Sequence, residues 1–269
     1  MTKNYEFTEL KYRDLILAAS LKYSFNGSDF SGASPSVCWR HDVDYSPHRA
    51  LAMARIEASV GVRCVYHFLV SSRYYNVLEP EITKIFREIV ILGHEVGLHF
   101  DMDVIESECL AEDLLMERIL LEKNLLSQLL NCELVSFSFH NHVLHLENIV
   151  DSEEICGMRN LASPAFYRQA KYLSDSNGIW REETLEELLS GASFSKLHVL
   201  THPVWWTPEP LVPLKCVSRA VEGRARANKI MYIQIMQRDG RLKEIGELIG
   251  LTEQDLQSAG LFVPKELQD

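Results

Sequence analysis

The chain has no C-x-x-C pair; its six cysteines, Cys38, Cys64, Cys109, Cys132, Cys156 and Cys216, are scattered along 269 residues. That spacing argues against a zinc ribbon. It also lacks G-x-G-x-x-G and G-x-x-x-x-G-K-[ST] loops, the usual phosphate cradles, and any G-x-S-x-G elbow, which removes the ordinary support for nucleotide-dependent or serine-hydrolase chemistry. Basic residues are in the minority, 27 Lys+Arg against 38 Asp+Glu, for a formal charge of −11. An acidic balance argues against nucleic acid or an anionic membrane as the main partner. No uninterrupted apolar run approaches the ~20 residues of a spanning helix. The opening stretch MTKNYEFTELKYRDLILAASLKYSF is cut by Lys11, Arg13 and Asp14, so it reads as an amphipathic helix and not as a signal peptide. Most cysteines sit in apolar runs, where free buried thiols are expected. A cytoplasmic protein without stable membrane insertion is the expectation.

What is present is a substantial core: 46% of residues are hydrophobic, too many for a disordered chain. Turn-rich NGSDFSGASPS leads to an opening strand over 36–44, and 48–60 reads as a helix stopped by Gly61. VRCVYHFLV, HEVGLHF, LVSFSFHNH and LHVLTHP read as strands. CGMRN and KYLSDSN read as shorter ones. EITKIFREIVILG and an acidic segment over roughly 105–130 read as helices, as does most of the final ~60 residues. Strands separated by helices imply parallel βαβ units in a barrel or a doubly wound sheet. The doubly wound alternative usually carries a glycine-rich turn after its first strand, and here that position holds HDVDYSPH. With no repeat and no linker, one domain over 1–269 is expected.

In barrel enzymes the working residues gather where strands end. Here the strand ends carry His41-Asp42-Val43-Asp44, His99-Phe100-Asp101, Ser138-Phe139-His140-Asn141-His142, Ser174-Asp175 and Thr201-His202-Pro203. Side chains alternate along a strand, so Asp42 and Asp44 share a face, as do His99 and Asp101. A strand-end His is often structural, and a strand-end Asp often only caps the next helix. Strand ends of the same polarity, all bearing His or Asp, point instead to one divalent-metal site, most fittingly Zn²⁺. That reading requires Asp44 and His99 to share a coordination shell.

RHDVD after a β-run, GHEVGLHFD after a helix, and a late strand ending in THP resemble the polysaccharide deacetylases, the NodB-like superfamily of carbohydrate esterase family 4. The resemblance spans roughly residues 36–206. It implies a distorted TIM-like (β/α)7 barrel, with extra N- and C-terminal helices here, a divalent metal, and removal of N- or O-acyl groups from sugars. It further implies Asp42 as catalytic base, Asp44 and His99 as metal ligands, and His202 of LTH as catalytic acid. The family's second motif places another His four residues after His99, where this chain has Asp103. Three residues compete for the third ligand: Asp103 by spacing, Asp101 by strand parity, and His140 from SFSFHNH. His140 is preferred because it keeps an Asp plus two His set with open water positions. The family's Asp that orients the catalytic His has a loose counterpart in Asp175, with Trp180 five residues on.

Substrate contacts are expected from Asp175, from Arg159 or Arg40 toward a phosphate or carboxylate, and from Trp180, Trp205 and Trp206, whose faces suit a sugar ring. The same tryptophans could equally pack the barrel mouth, and Arg40 could simply pair with the acids. A cytoplasmic location points to a soluble or lipid-linked sugar intermediate of bacterial surface-polysaccharide synthesis, such as lipopolysaccharide or capsule. Rival readings are another metal-dependent amidohydrolase or phosphoesterase, and a non-catalytic sugar-binding protein with a degenerate site.

Overall fold

The structure, a computed structural model, describes residues 7–30, 32, 35–104, 112–140, 151–191, 194–242 and 250–260. Cys109, Asn141 and His142, and the first part of the helix expected over 105–130, lie outside the described residues. The chain divides into two compact units, Met1–Val217 and Ser218–Asp269. The motif-bearing core lies in the first.

Among the described residues nine strands form one mixed sheet: β1 (Ser24–Phe25), β2 (Ser36–Val43), β3 (Val65–Leu69), β4 (Glu95–Phe100), β5 (Ser136–Phe139), β6 (Glu154–Ile155), β7 (Met158–Asn160), β8 (Lys171–Ser174) and β9 (Lys196–Thr201). Their order is β6-β7-β5-β4-β3-β2-β9-β8, with β1 on β2, and the sheet is curled. Every pairing is parallel except β6 with β7. β1 borrows the first two residues of β2, and β3 takes the same edge from Arg40 onward.

Helices α1 (Glu9–Ser20), α2 (Pro47–Val60), α3 (Pro80–Ile91) and α4 (Glu112–Leu130) precede or connect the first strands, and α5 (Pro164–Tyr167) and α6 (Leu185–Ser190) flank β8. Their ends are written in the sequence. Ser46 accepts a hydrogen bond from the Arg49 N–H, Pro47 opens the first turn of α2, and Gly61 closes it in the left-handed conformation at φ 81°. In α3 the residues Ile82, Ile85, Phe86 and Ile89 are buried, the spacing of one helical face. Phe86 stacks on Phe68 of β3 with centroids 3.8 Å apart. β2 is buried along its whole length, as expected of a strand covered on both faces.

The second unit contains most of α7 (Pro213–Arg238) and α8 (Glu253–Ser258). There Ile233, Leu256 and Ala259 form a small core, and Thr252 and Asp255 make a capping box. No helix among the described residues is long and apolar enough to cross a membrane.

A candidate metal centre at the strand ends

Alternation along β2 sends Arg40 and Asp42 to one face of the sheet and His41 to the other, and Asp44 continues the first row beyond the last strand residue. Asp44 is buried, and its Oδ1 lies 3.2 Å from His99 Nε2 and 3.4 Å from His140 Nδ1. His99 comes from β4. His140 follows β5 directly, with its N–H donating to the Phe100 carbonyl. The ligand atoms of Asp44, His99 and His140 all fall within 4.8 Å of one another. Neither imidazole is aligned as a hydrogen-bond donor to Oδ1, which is left buried and unsatisfied. A buried carboxylate oxygen with two imidazole nitrogens converging on it fits a divalent cation of the zinc class, with coordination positions left open.

Among the described residues two other groups of candidate ligands are close by: Asp42, His67 and His99, and His41, Glu57 and Cys64. Charge decides against the first. Arg40 grips Asp42 with Nη2 3.0 Å from Oδ2 and Nε 3.0 Å from Oδ1, so a cation on Asp42 would sit beside a guanidinium. Satisfaction decides against the second, on the far face of β2. Glu57 accepts hydrogen bonds from Tyr12 and Tyr66 and lies 2.7 Å from His41 Nε2. It has no need of an ion.

The electrostatics follow the same division. Burial alone would raise the Asp42 carboxyl, but Arg40, followed by His99 and His67, holds it well below the usual carboxylate range. Asp44 is likewise held low against burial by the contacts of His140 and His99. His202, 12% exposed, points Nε2 toward Asp44 at 3.9 Å. Burial would depress its pKa, but the hydrogen bond and charge of Asp175 outweigh that and raise it to about 9.

Asp175 thus holds the His202 ring, in line with its loose match to an orienting Asp, and is not the substrate contact also expected of it. It is fully buried and accepts from His202 Nδ1 at 2.7 Å, from the His202 N–H at 2.9 Å and from Trp206 Nε1 at 2.9 Å. Three other expected substrate contacts do not line the cavity: Arg159, Trp180, and Trp206, which is buried against Phe7 and Tyr12 and spends its indole N–H on Asp175. Arg159 donates to the Ser28 carbonyl and faces Asp29 at 3.4 Å. It lines a separate pocket beside Lys196, the first residue of β9, whereas His202 follows the last. Trp180 is buried against Phe7 and Trp206 and packs an aromatic core. Trp205 does line the cavity, 6.0 Å from Tyr45. Of the two alternative third ligands, Asp101 accepts the Asp103 N–H at 3.1 Å, and neither belongs to a candidate ligand group among the described residues.

These groups open into a cavity of about 840 Å³, lined also by Tyr172, Ser174 and Arg181, within the size range of small-molecule sites. Sequence reasoning missed His67, a fully buried mid-strand residue 3.7 Å from Asp42. Its register opposite Asp42 was the available signal. No known protein-family model matches the chain, and no curated protein does.

Proposed function

We propose that the protein is a metal-dependent hydrolase that removes an N-acyl group, acetyl or formyl, from a sugar on a distorted (β/α)7 deacetylase-type barrel. The observation that carries this reading is the convergence of Asp44, His99 and His140 between two proton-transfer groups of opposite kind, Asp42 and His202. Asp44, His99 and His140 would hold the ion, for which zinc suits the donor set. Such an ion lowers the pKa of water toward ~7 and polarises an acyl carbonyl. Asp42, held ionised by Arg40, would take the proton of the attacking water as general base. His202, whose pKa the buried Asp175 raises, points to the same place and would serve as the acid for a leaving amine. An amide needs that acid, because an amine anion leaves poorly. Asp175 keeps the ring in the tautomer and orientation for this step.

Trp205 and Tyr45 offer aromatic faces to a sugar ring, and the cavity accepts a monosaccharide or the sugar end of a lipid-linked intermediate. The substrate in this reading is an intermediate of bacterial surface-polysaccharide synthesis, a step that follows from the expected cytoplasmic location. The test is to load purified protein with zinc and assay N-acetyl and N-formyl sugars, free and nucleotide-linked, for released acetate or formate. Release abolished by chelation and restored by zinc is expected. Turnover of phosphate esters with no acyl release would overturn the reading in favour of a phosphoesterase.

A further inference from the structure

Behind His99 lies a chain of side chains that the acid–base chemistry above does not use. His99 Nδ1 is 2.7 Å from Ser138 Oγ, Ser138 Oγ is 2.5 Å from His67 Nδ1, and His67 Nε2 is 3.0 Å from Ser136 Oγ. Both serines and His67 are fully buried, and His99 is 1% exposed. The register explains how β3 reaches β5 across the intervening strand. Asp42, His67, Gly97 and Ser136 stand level across four adjacent strands, and Gly97 offers no side chain to that face. A Cβ there would lie 2.5 Å from the His67 ring. The imidazole lies over the glycine and meets the two serines beyond it.

We propose that Ser138 and His67 are positioning residues that fix the tautomer of His99 and so present its Nε2 lone pair to the cation; the inference rests on the metal-centre reading above. The direction of the chain follows from donor counting. A neutral imidazole carries one proton, so a His99 that offers Nε2 to a metal has its proton on Nδ1 and donates to Ser138 Oγ. Ser138 has a single proton and spends it on His67 Nδ1. The His67 proton is then on Nε2 and is donated to Ser136 Oγ. Each of the three contacts is satisfied once. The opposite order would put a proton on His99 Nε2, against Asp44, and close the site. Outer partners of metal-binding histidines typically govern affinity by 10–100-fold.

The experiment measures zinc affinity by competition with a chromophoric chelator for the wild type, Ser138→Ala and His67→Asn, with melting of the metal-free proteins as the check on folding. The asparagine carbonyl can stand in for the Nδ1 acceptor. Nitrogen-15 NMR of the zinc-loaded wild type reads the histidine tautomers directly and needs no variant to fold. Expected are a proton on Nδ1 of His99 and on Nε2 of His67, a loss of about 10–100-fold in zinc affinity for Ser138→Ala, and a smaller loss for His67→Asn. Unchanged affinity in a folded Ser138→Ala, or the opposite tautomers, would overturn this inference and leave the metal centre standing. A wild type that binds no zinc would overturn the metal centre itself, and the relay with it.

Discussion

At the scale of single residues, two carboxylates two positions apart are separated by what each one meets. Asp42 meets a guanidinium, Asp44 two imidazoles. Asp42→Asn is therefore expected to keep its metal and lose turnover by ~10²–10⁴, the usual worth of a general base. Asp44→Asn is expected to lose the metal, and elemental analysis beside an acyl-release assay separates the two outcomes. His202 supplies a pH test in the metal-free protein. Its pKa, raised to about 9, lies above the ordinary value of ~6.5. The stability drawn from the Asp175 contact is thus complete below pH ~6.5 and lost as pH rises through about 9. Thermal melts across that window should show the decline in the wild type and a weaker one in Asp175→Asn. Equal slopes would deny the pairing.

At the scale of elements, parallel register turns unrelated sequence positions into neighbours. β2 presents Arg40 and Asp42 on one face, so the ion pair forms within a single strand. Removing the cation by Arg40→Met leaves Asp42 buried and uncompensated, an expected cost of about 3–5 kcal/mol in denaturant unfolding. A variant as stable as the wild type would show that the pair carries no such burden. Gly97 is the second element-scale constraint. Gly97→Ala drives a methyl into the His67 ring and the Ser136 backbone, with an expected destabilisation of about 1–3 kcal/mol. A fall in zinc affinity should accompany it, because the ring bears on Ser138. Retained affinity together with retained stability would show that the ring has room to move.

At the scale of the whole molecule, the main strands and the helices read over 48–60 and 81–93, observed over 47–60 and 80–91, were legible because period-2 and period-3.6 patterns were bounded by clear stops such as Gly61. β1 and β6, two residues each, and the short helices α5 and α6 carry no period long enough to read. Strand-end position was enough to pick out Asp42, Asp44, His99, His140 and His202 as residues that the fold brings together. It misled for Trp180, because the consecutive left-handed residues Asn177 and Gly178, at φ 61° and 69°, precede a chain segment that runs into the aromatic core. It misled for Arg159 as well, because β7 pairs with the first residues of β5 and the side chain turns to Ser28 and Asp29. His67 was hidden mid-strand, where only register exposes it. The most direct measurement is the zinc content of the wild type, His140→Ala and Asp103→Ala after equilibration with the ion and removal of the excess. One ion per chain is expected in the wild type and Asp103→Ala, with little or none in His140→Ala. Full zinc in His140→Ala, or none in the wild type, would contradict the centre built from Asp44, His99 and His140.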